Sequence, residues 1–191
     1  MRTPPADLLD RLRAASERIL APDHPPSIDE LAQLTGIPRT TLYYHFSGRE
    51  PLVDALLRDK VIRIGAALSA GMPEAASAEA QLEQLLTAIA TTIAQDPTLC
   101  TTLMARLALL PDEDPLHAAV DRVVLRPLER TITAGIAAGT LRSDDPELTA
   151  HALYGAIATA ALARFTRDGH LDGDHLARTL VPQLVAGVRA V

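Results

Sequence analysis

The sequence predicts an all-α fold, on three observations. Alanine and leucine supply 33 and 30 of the 191 residues, about a third of the chain, and both are strong helix formers. Apolar residues recur at steps of three and four, and no stretch shows the alternation of a half-buried strand. Proline, glycine and aspartate gather in runs that cut the chain into about nine segments. At this length roughly 70% of the unfolded surface can be buried, so a packed core can form without metal or disulfide staples.

The elements follow in order. Leu8, Leu12, Ala15 and Ile19 step by 4, 3 and 4 along one helix face, which ends at the proline-rich run 22–26. A short helix is expected from Ser27 to Leu34 and another from Pro38 to about Phe46, with Thr35-Gly36-Ile37 between them. A long helix starts near Pro51 and carries Val53, Leu57, Val61, Ile64 and Leu68 at steps of 4, 4, 3 and 4. The run Gly71 to Pro73 stops it. Segments near 78–95, 98–110 and 116–138 are separated by Asp96-Pro97 and by Pro111 to Pro115. Pro127 should kink or split the third, because it lacks the N–H a helix interior needs. A loop over Gly139–Pro146 precedes an Ala-rich helix at 147–168, and Asp172-Gly173-Asp174 opens the last helix.

The two short helices carry the most chemistry. Ser27-Ile28-Asp29-Glu30 has the form of a capping box, and Ile28, Leu31 and Leu34 should face inward, with small Ala32 allowing close helix approach. Gly36 suits a left-handed turn, and Pro38 pre-sets the first turn of the next helix. Leu42 and Phe46 then face the core, which leaves Arg39, Thr40, Tyr43 and Tyr44 outside as the pairs 39/43 and 40/44. This is a helix-turn-helix arrangement, whose second helix fits a DNA major groove with hydroxyl and guanidinium groups at base edges and phosphates. A merely solvated αα-hairpin rarely shows two adjacent tyrosines outward.

At these residues the sequence resembles the TetR family of bacterial transcriptional regulators. The stretch Ser27–Phe46 follows that family's N-terminal pattern, Thr41–Phe46 being its most specific part, and Arg49-Glu50-Pro51-Leu52 matches the start of the family's fourth helix. The resemblance covers about residues 5–60. It implies a helix-turn-helix DNA-binding domain at 1–50 and an effector-binding and dimerisation domain at 51–191. The implied partners are double-stranded operator DNA, a small-molecule effector and a second copy of the chain. Arg39, Thr40 and Tyr44 would read or approach bases, while Thr41, Tyr43 and His45 would touch phosphates or bases nearby. Arg49 stands where members usually have lysine, and keeps the charge while adding a bidentate option for phosphate. Asp29 and Glu30 depart from members that place a basic residue on DNA there, and Thr40 replaces a frequent glycine.

The resemblance places an effector pocket within about 78–138 and a dimer interface within 147–190. Leu86, Ile89, Leu103, Met104, Leu107, Val120, Val124 and Tyr154 are candidate pocket residues, being apolar or amphipathic on those helices. Few charges line the middle segments, which favours a largely apolar effector. The small residues Gly155, Ala156, Ala158, Ala160, Ala161 and Ala163 permit close helix approach. With the stripe Leu176, Leu180, Leu184 and Val188 they could form a bundle across a two-fold axis, or pack inside one chain.

Other chemistry is sparse. The single cysteine, Cys100, rules out an internal disulfide and reads as a buried, inert thiol. His170 and His175 flank an Asp-Gly-Asp loop, for which a solvated surface is the default over a metal site. Neither a Gly-rich phosphate loop nor a catalytic constellation is present, so no enzyme, metal or cofactor is expected. The N-terminus carries no apolar signal core, and the longest charge-free stretch, Leu148–Ala163, has 16 residues where a bilayer span needs roughly 20. A soluble, cytoplasmic protein follows. The rival is an all-α small-molecule-binding module with a vestigial helix-turn-helix.

A net charge of −6 argues at first against a polyanionic partner. The charges are unevenly placed, however. Residues 1–63 carry nine basic and nine acidic groups, and the remainder nine and fifteen. The head is neutral, and the whole excess lies beyond it.

Overall fold

The structure, a computed structural model, describes residues 5–20, 26–71, 77–111 and 113–190. Among them are eleven α-helical segments: α1 (Ala6–Ala14), α2 (Ser16–Leu20), α3 (Ile28–Thr35), α4 (Arg39–His45), α5 (Arg49–Gly71), α6 (Ala78–Gln95), α7 (Pro97–Leu107), α8 (Pro115–Val120), α9 (Arg126–Ala137), α10 (Pro146–Asp168) and α11 (Gly173–Val188). A π-helical turn, Asp121–Leu125, joins α8 to α9. Reading through that turn and through the hitch at Ala15 leaves nine rods. The expected stops at residues 22–25 and 72–73 lie outside the described residues. No described segment is a strand; an isolated bridge pairs Leu141 with Arg189 and pins the end of α11 to the α9–α10 loop.

The Asp-Pro breakers of the sequence are helix starts. Asp96, Asp114 and Asp145 each accept a backbone N–H of the first turn, with proline next in line. Ser77 and Asp172 cap α6 and α11 in the same way. Each such cap contributes about 1 kcal/mol. Pro127 splits its segment as expected, but through an upstream π turn rather than a simple kink. The Arg126 N–H reaches back five residues to the Asp121 carbonyl, and the missing Pro127 N–H leaves no α-type bond to restore the register. In α11, by contrast, Pro182 sits within an uninterrupted helix on its exposed side.

Two apolar cores organise the chain. The first gathers Leu8, Leu12 and Ile19 with Leu31, Ile37, Leu42 and Phe46, and runs on through Leu52, Leu57 and Val61 of α5 to Leu99, Leu103, Leu116 and Val120. The second joins Leu82, Leu86 and Ile93 of α6 to Leu128, Ile132, Leu153, Ile157, Val181 and Val185. Val124 of the π turn packs on both. The N-terminal helices thus share a core with α5, α7 and α8, one that continues past residue 50.

The C-terminal faces separate cleanly. Leu176 is buried, and Leu180, Leu184 and Val188, each partly buried, pack on the second core of the same chain. On α10, Ala150, Ala158 and Ala161 face inward, whereas Ala152, Ala156, Thr159 and Ala163 are exposed along one face.

Candidate nucleic-acid interface and ligand cavity

The reading head is built by local hydrogen bonds. Ser27 Oγ accepts from the Glu30 N–H at 3.3 Å, and the Ser27 N–H donates to Glu30 Oε2 at 2.7 Å, completing the capping box. Gly36 ends α3 at φ 65°, in the left-handed region, and a Cβ there would meet Arg11 Nη2 at 2.9 Å. Ile28 and Leu31 face inward as expected and half-buried Leu34 packs on the same core, while Thr35 is buried as well. Thr35 tolerates burial because its hydroxyl donates to the Leu31 carbonyl at 2.6 Å and accepts from the Ile37 N–H at 3.3 Å.

Leu42 and Phe46 anchor α4 in the core. Arg39, Thr40, Tyr43 and Tyr44 form its outer face, with Tyr43 50% and Tyr44 57% exposed. Thr41 is half-buried at the edge. His45 does not share this face: it is 9% exposed, edge-on to Tyr44 at 5.0 Å between centroids and 6.5 Å from Phe46. Arg39 pairs with Asp29 at 2.6 Å, and its guanidinium lies 5.9 Å from the Tyr43 ring centroid. The acidic residue that seemed foreign to a DNA face therefore holds the arginine most suited to it. Arg49, half-buried, donates to Glu50 at 2.7 Å, while its buried Nε has no hydrogen-bond partner among the described residues.

Ion pairs tie α5 to its surroundings at three levels. Arg106 of α7 grips Asp54 with two bonds of 2.7 Å and also pairs with Glu50. Arg13 of α1 holds Asp59 at 2.9 and 2.6 Å, and Lys60 meets Asp96 at 2.5 Å. The hydrogen bond from Arg13, against the opposing effect of burial, keeps the Asp59 carboxyl below its ordinary range. Asp54 likewise pushes the Arg106 guanidinium up.

Beyond these pairs α5 borders a cavity. An inner chamber of about 70 Å³ lies between Val61, Ile64 and Leu68 of α5, Ile89 and Ile93 of α6, Leu99, Cys100 and Leu103 of α7, and Val120, Val123, Val124 and Tyr154. Of the expected pocket residues, Ile89, Leu103, Val120, Val124 and Tyr154 line it. Leu86 is fully buried in the second core, Met104 packs on that core's edge, and Leu107 packs on the first core. The α5 wall was missed although its signal is in the sequence. The same 4, 4, 3, 4 stripe that buries Leu57 in the head core presents Val61, Ile64 and Leu68 to the chamber. Burial pushes the Tyr154 hydroxyl up to about 12, with Cys100 adding to the effect, and pushes the Cys100 thiol up as well. A wider groove of about 670 Å³ lies next to the chamber between α5, α6 and α9, the two sharing the lining residues Leu68, Ile89, Val123 and Val124.

Among the described residues no group of three or more histidine, cysteine or acidic side chains is placed to hold a metal ion. His170 instead contacts the Asp168 carbonyl at 3.0 Å. No described helix is long and apolar enough to cross a membrane.

No curated protein matches the chain. A family model described as "Tetracyclin repressor-like, C-terminal domain" matches residues 75–188. Among solved structures, the chain is similar to the fatty acid degradation regulator FadR from Bacillus halodurans, at 20% identity and a TM-score of 0.74, covering 100% of both chains. It is also similar to the transcriptional regulator FadR from Bacillus subtilis in complex with stearoyl-CoA, at 20% identity and 0.70, covering 95% of this chain and 98% of that one. A TetR transcription regulator from Haloarcula marismortui gives 19% and 0.74, covering 97% and 100%. These likenesses establish the fold, and the family match covers more than half of the sequence. The chain belongs to the TetR family of ligand-responsive, DNA-binding transcriptional regulators.

Proposed function

We propose that this regulator is a homodimeric repressor that holds a palindromic operator and leaves it when a small, largely apolar effector enters the cavity. Residues 1–50 act as the reading head and 51–191 as the effector and dimer region. The observation that carries this reading is the continuity of α5. Its first turns abut the recognition helix and are gripped by Arg106, and its second half walls the chamber. A ligand that wedges α5 from α6 and α7 therefore re-aims the head, and the population with correct spacing falls.

Arg39, Thr40, Tyr43 and Tyr44 supply the major-groove contacts, with Thr41 and Arg49 at the flanking phosphates. Two such helices one DNA turn apart, roughly 34–36 Å, require two-fold symmetry, and the exposed small face of α10 offers a surface for close approach of a second copy. The stearoyl-CoA held by the Bacillus subtilis regulator supports an effector with a long apolar part.

Selection from random duplex DNA tests the assignment. Enrichment of a palindrome with half-sites one turn apart is expected. Recovery of no preferred sequence would leave a small-molecule-binding module with a vestigial head.

A further inference from the structure

We infer that the effector is a single-chain amphiphile with one negative charge, a free carboxylate, bound head-outward on Arg130. This rests on the reading of the cavity as the effector site and names the class of ligand it takes. The chamber alone, at about 70 Å³, holds only the end of a chain, whereas the adjoining groove of about 670 Å³ lies within the roughly 300–1,000 Å³ typical of small-molecule sites. A ligand occupying both must pass the four shared residues Leu68, Ile89, Val123 and Val124, all apolar. The two ends differ in chemistry. The inner end is walled mostly by aliphatic side chains, with Thr92, Cys100 and the Tyr154 hydroxyl among them, and its one charged residue, Asp96, is held by Lys60 at 2.5 Å and would repel a carboxylate. The outer end carries Ser69, Gln81, Thr131 and Arg130.

Arg130 is the one charged residue in the groove lining, and no described residue pairs with it. Its neighbours along the wall are occupied elsewhere or turned away. Arg126 pairs with Asp121, Glu79 pairs with Arg189, and Glu83 lies roughly 160° around α6 from the groove-facing Gln81 and Leu85. A solitary guanidinium against an apolar wall matches a carboxylate, which it can hold through two parallel bonds. It does not match a polyphosphate head, which needs several cations. The groove therefore favours a free fatty acid over its coenzyme A thioester.

Calorimetric titration of the full-length protein with decanoate, 1-decanol and decanoyl-CoA, below their micelle concentrations, tests this. Decanoate is expected to bind about tenfold more tightly than the alcohol, as a two-bond, charge-assisted contact with Arg130, exposed at the outer end of the groove, allows. Arg130→Gln should bring decanoate to the alcohol's level with the melting temperature retained, and Arg130→Lys should restore part of the preference. Equal binding of acid and alcohol, or a decanoate affinity unchanged by Arg130→Gln, would overturn the carboxylate assignment while leaving the cavity intact. Tighter binding of decanoyl-CoA than of decanoate would overturn it too. If none of the three binds, and blocking the chamber with Leu103→Trp changes nothing, the cavity reading falls and this inference with it.

Discussion

In the proposed reading Arg39 is the central recognition residue, and its ion-pair partner Asp29 would set how freely it acts. The pair is exposed on both sides, so it adds little stability, but it orients the guanidinium and lowers the local positive potential. Asp29→Asn should raise affinity for random DNA and narrow the gap between operator and non-operator sequences, as read by fluorescence anisotropy with two duplexes. Tyr154 offers a second single-residue test. Its folded hydroxyl keeps its proton up to about 12, whereas an unfolded tyrosine loses it near 10. Between those values the unfolded chain binds fewer protons, so stability should fall as pH rises from about 10 to 12. Tyr154→Phe should remove both that fall and the late phase of an ultraviolet pH titration. The outward set 39, 40, 43 and 44 was legible from spacing alone. His45 was not, because family resemblance placed it on DNA, while its position three residues from Leu42 and one from Phe46 puts it on the inward face.

At the level of elements, the proposed coupling runs through α5 and the π turn, which border both the N-terminal helices and the cavity. Gly65 of α5 leaves no room opposite the π turn, since a Cβ there would meet a Val123 methyl at 2.8 Å. Gly65→Ala should therefore push α5 and the π turn apart at Val123 and destabilise the protein by roughly 1–3 kcal/mol in chemical denaturation. The Arg13–Asp59 pair joins head to rod, and its pH dependence has a definite sign. The folded carboxyl lies below its ordinary value, so its stabilisation is complete above about pH 4 and is lost as pH falls through the folded value. Asp59→Asn should flatten the acid limb of the stability profile. Helix positions were legible because breakers and caps are local. The π turn was not, because proline announces only a disruption and not the i+5 bond from Arg126 to Asp121 by which the chain accommodates it.

For the whole molecule, packing between elements decides what sequence spacing leaves open. Spacing allows the Leu176–Val188 stripe and the small residues of α10 to form one bundle across a two-fold axis or to pack inside one chain, and in the fold the stripe packs on the second core while one small face of α10 is exposed. Ala156→Glu, on the exposed α10 face, should shift sedimentation toward monomer and weaken operator binding with little loss of fold. The acidic excess lies outside the neutral head, so random DNA should be held weakly and operator affinity should rest on few placed contacts. The most direct measurement is anisotropy titration of a selected operator duplex at two salt concentrations, with wild type and the Arg39→Ala/Tyr43→Ala double variant. Wild-type affinity should fall as salt rises, and the double variant should bind about a hundredfold more weakly at the lower salt. Absent or salt-insensitive binding, equal for the two proteins, would contradict the account.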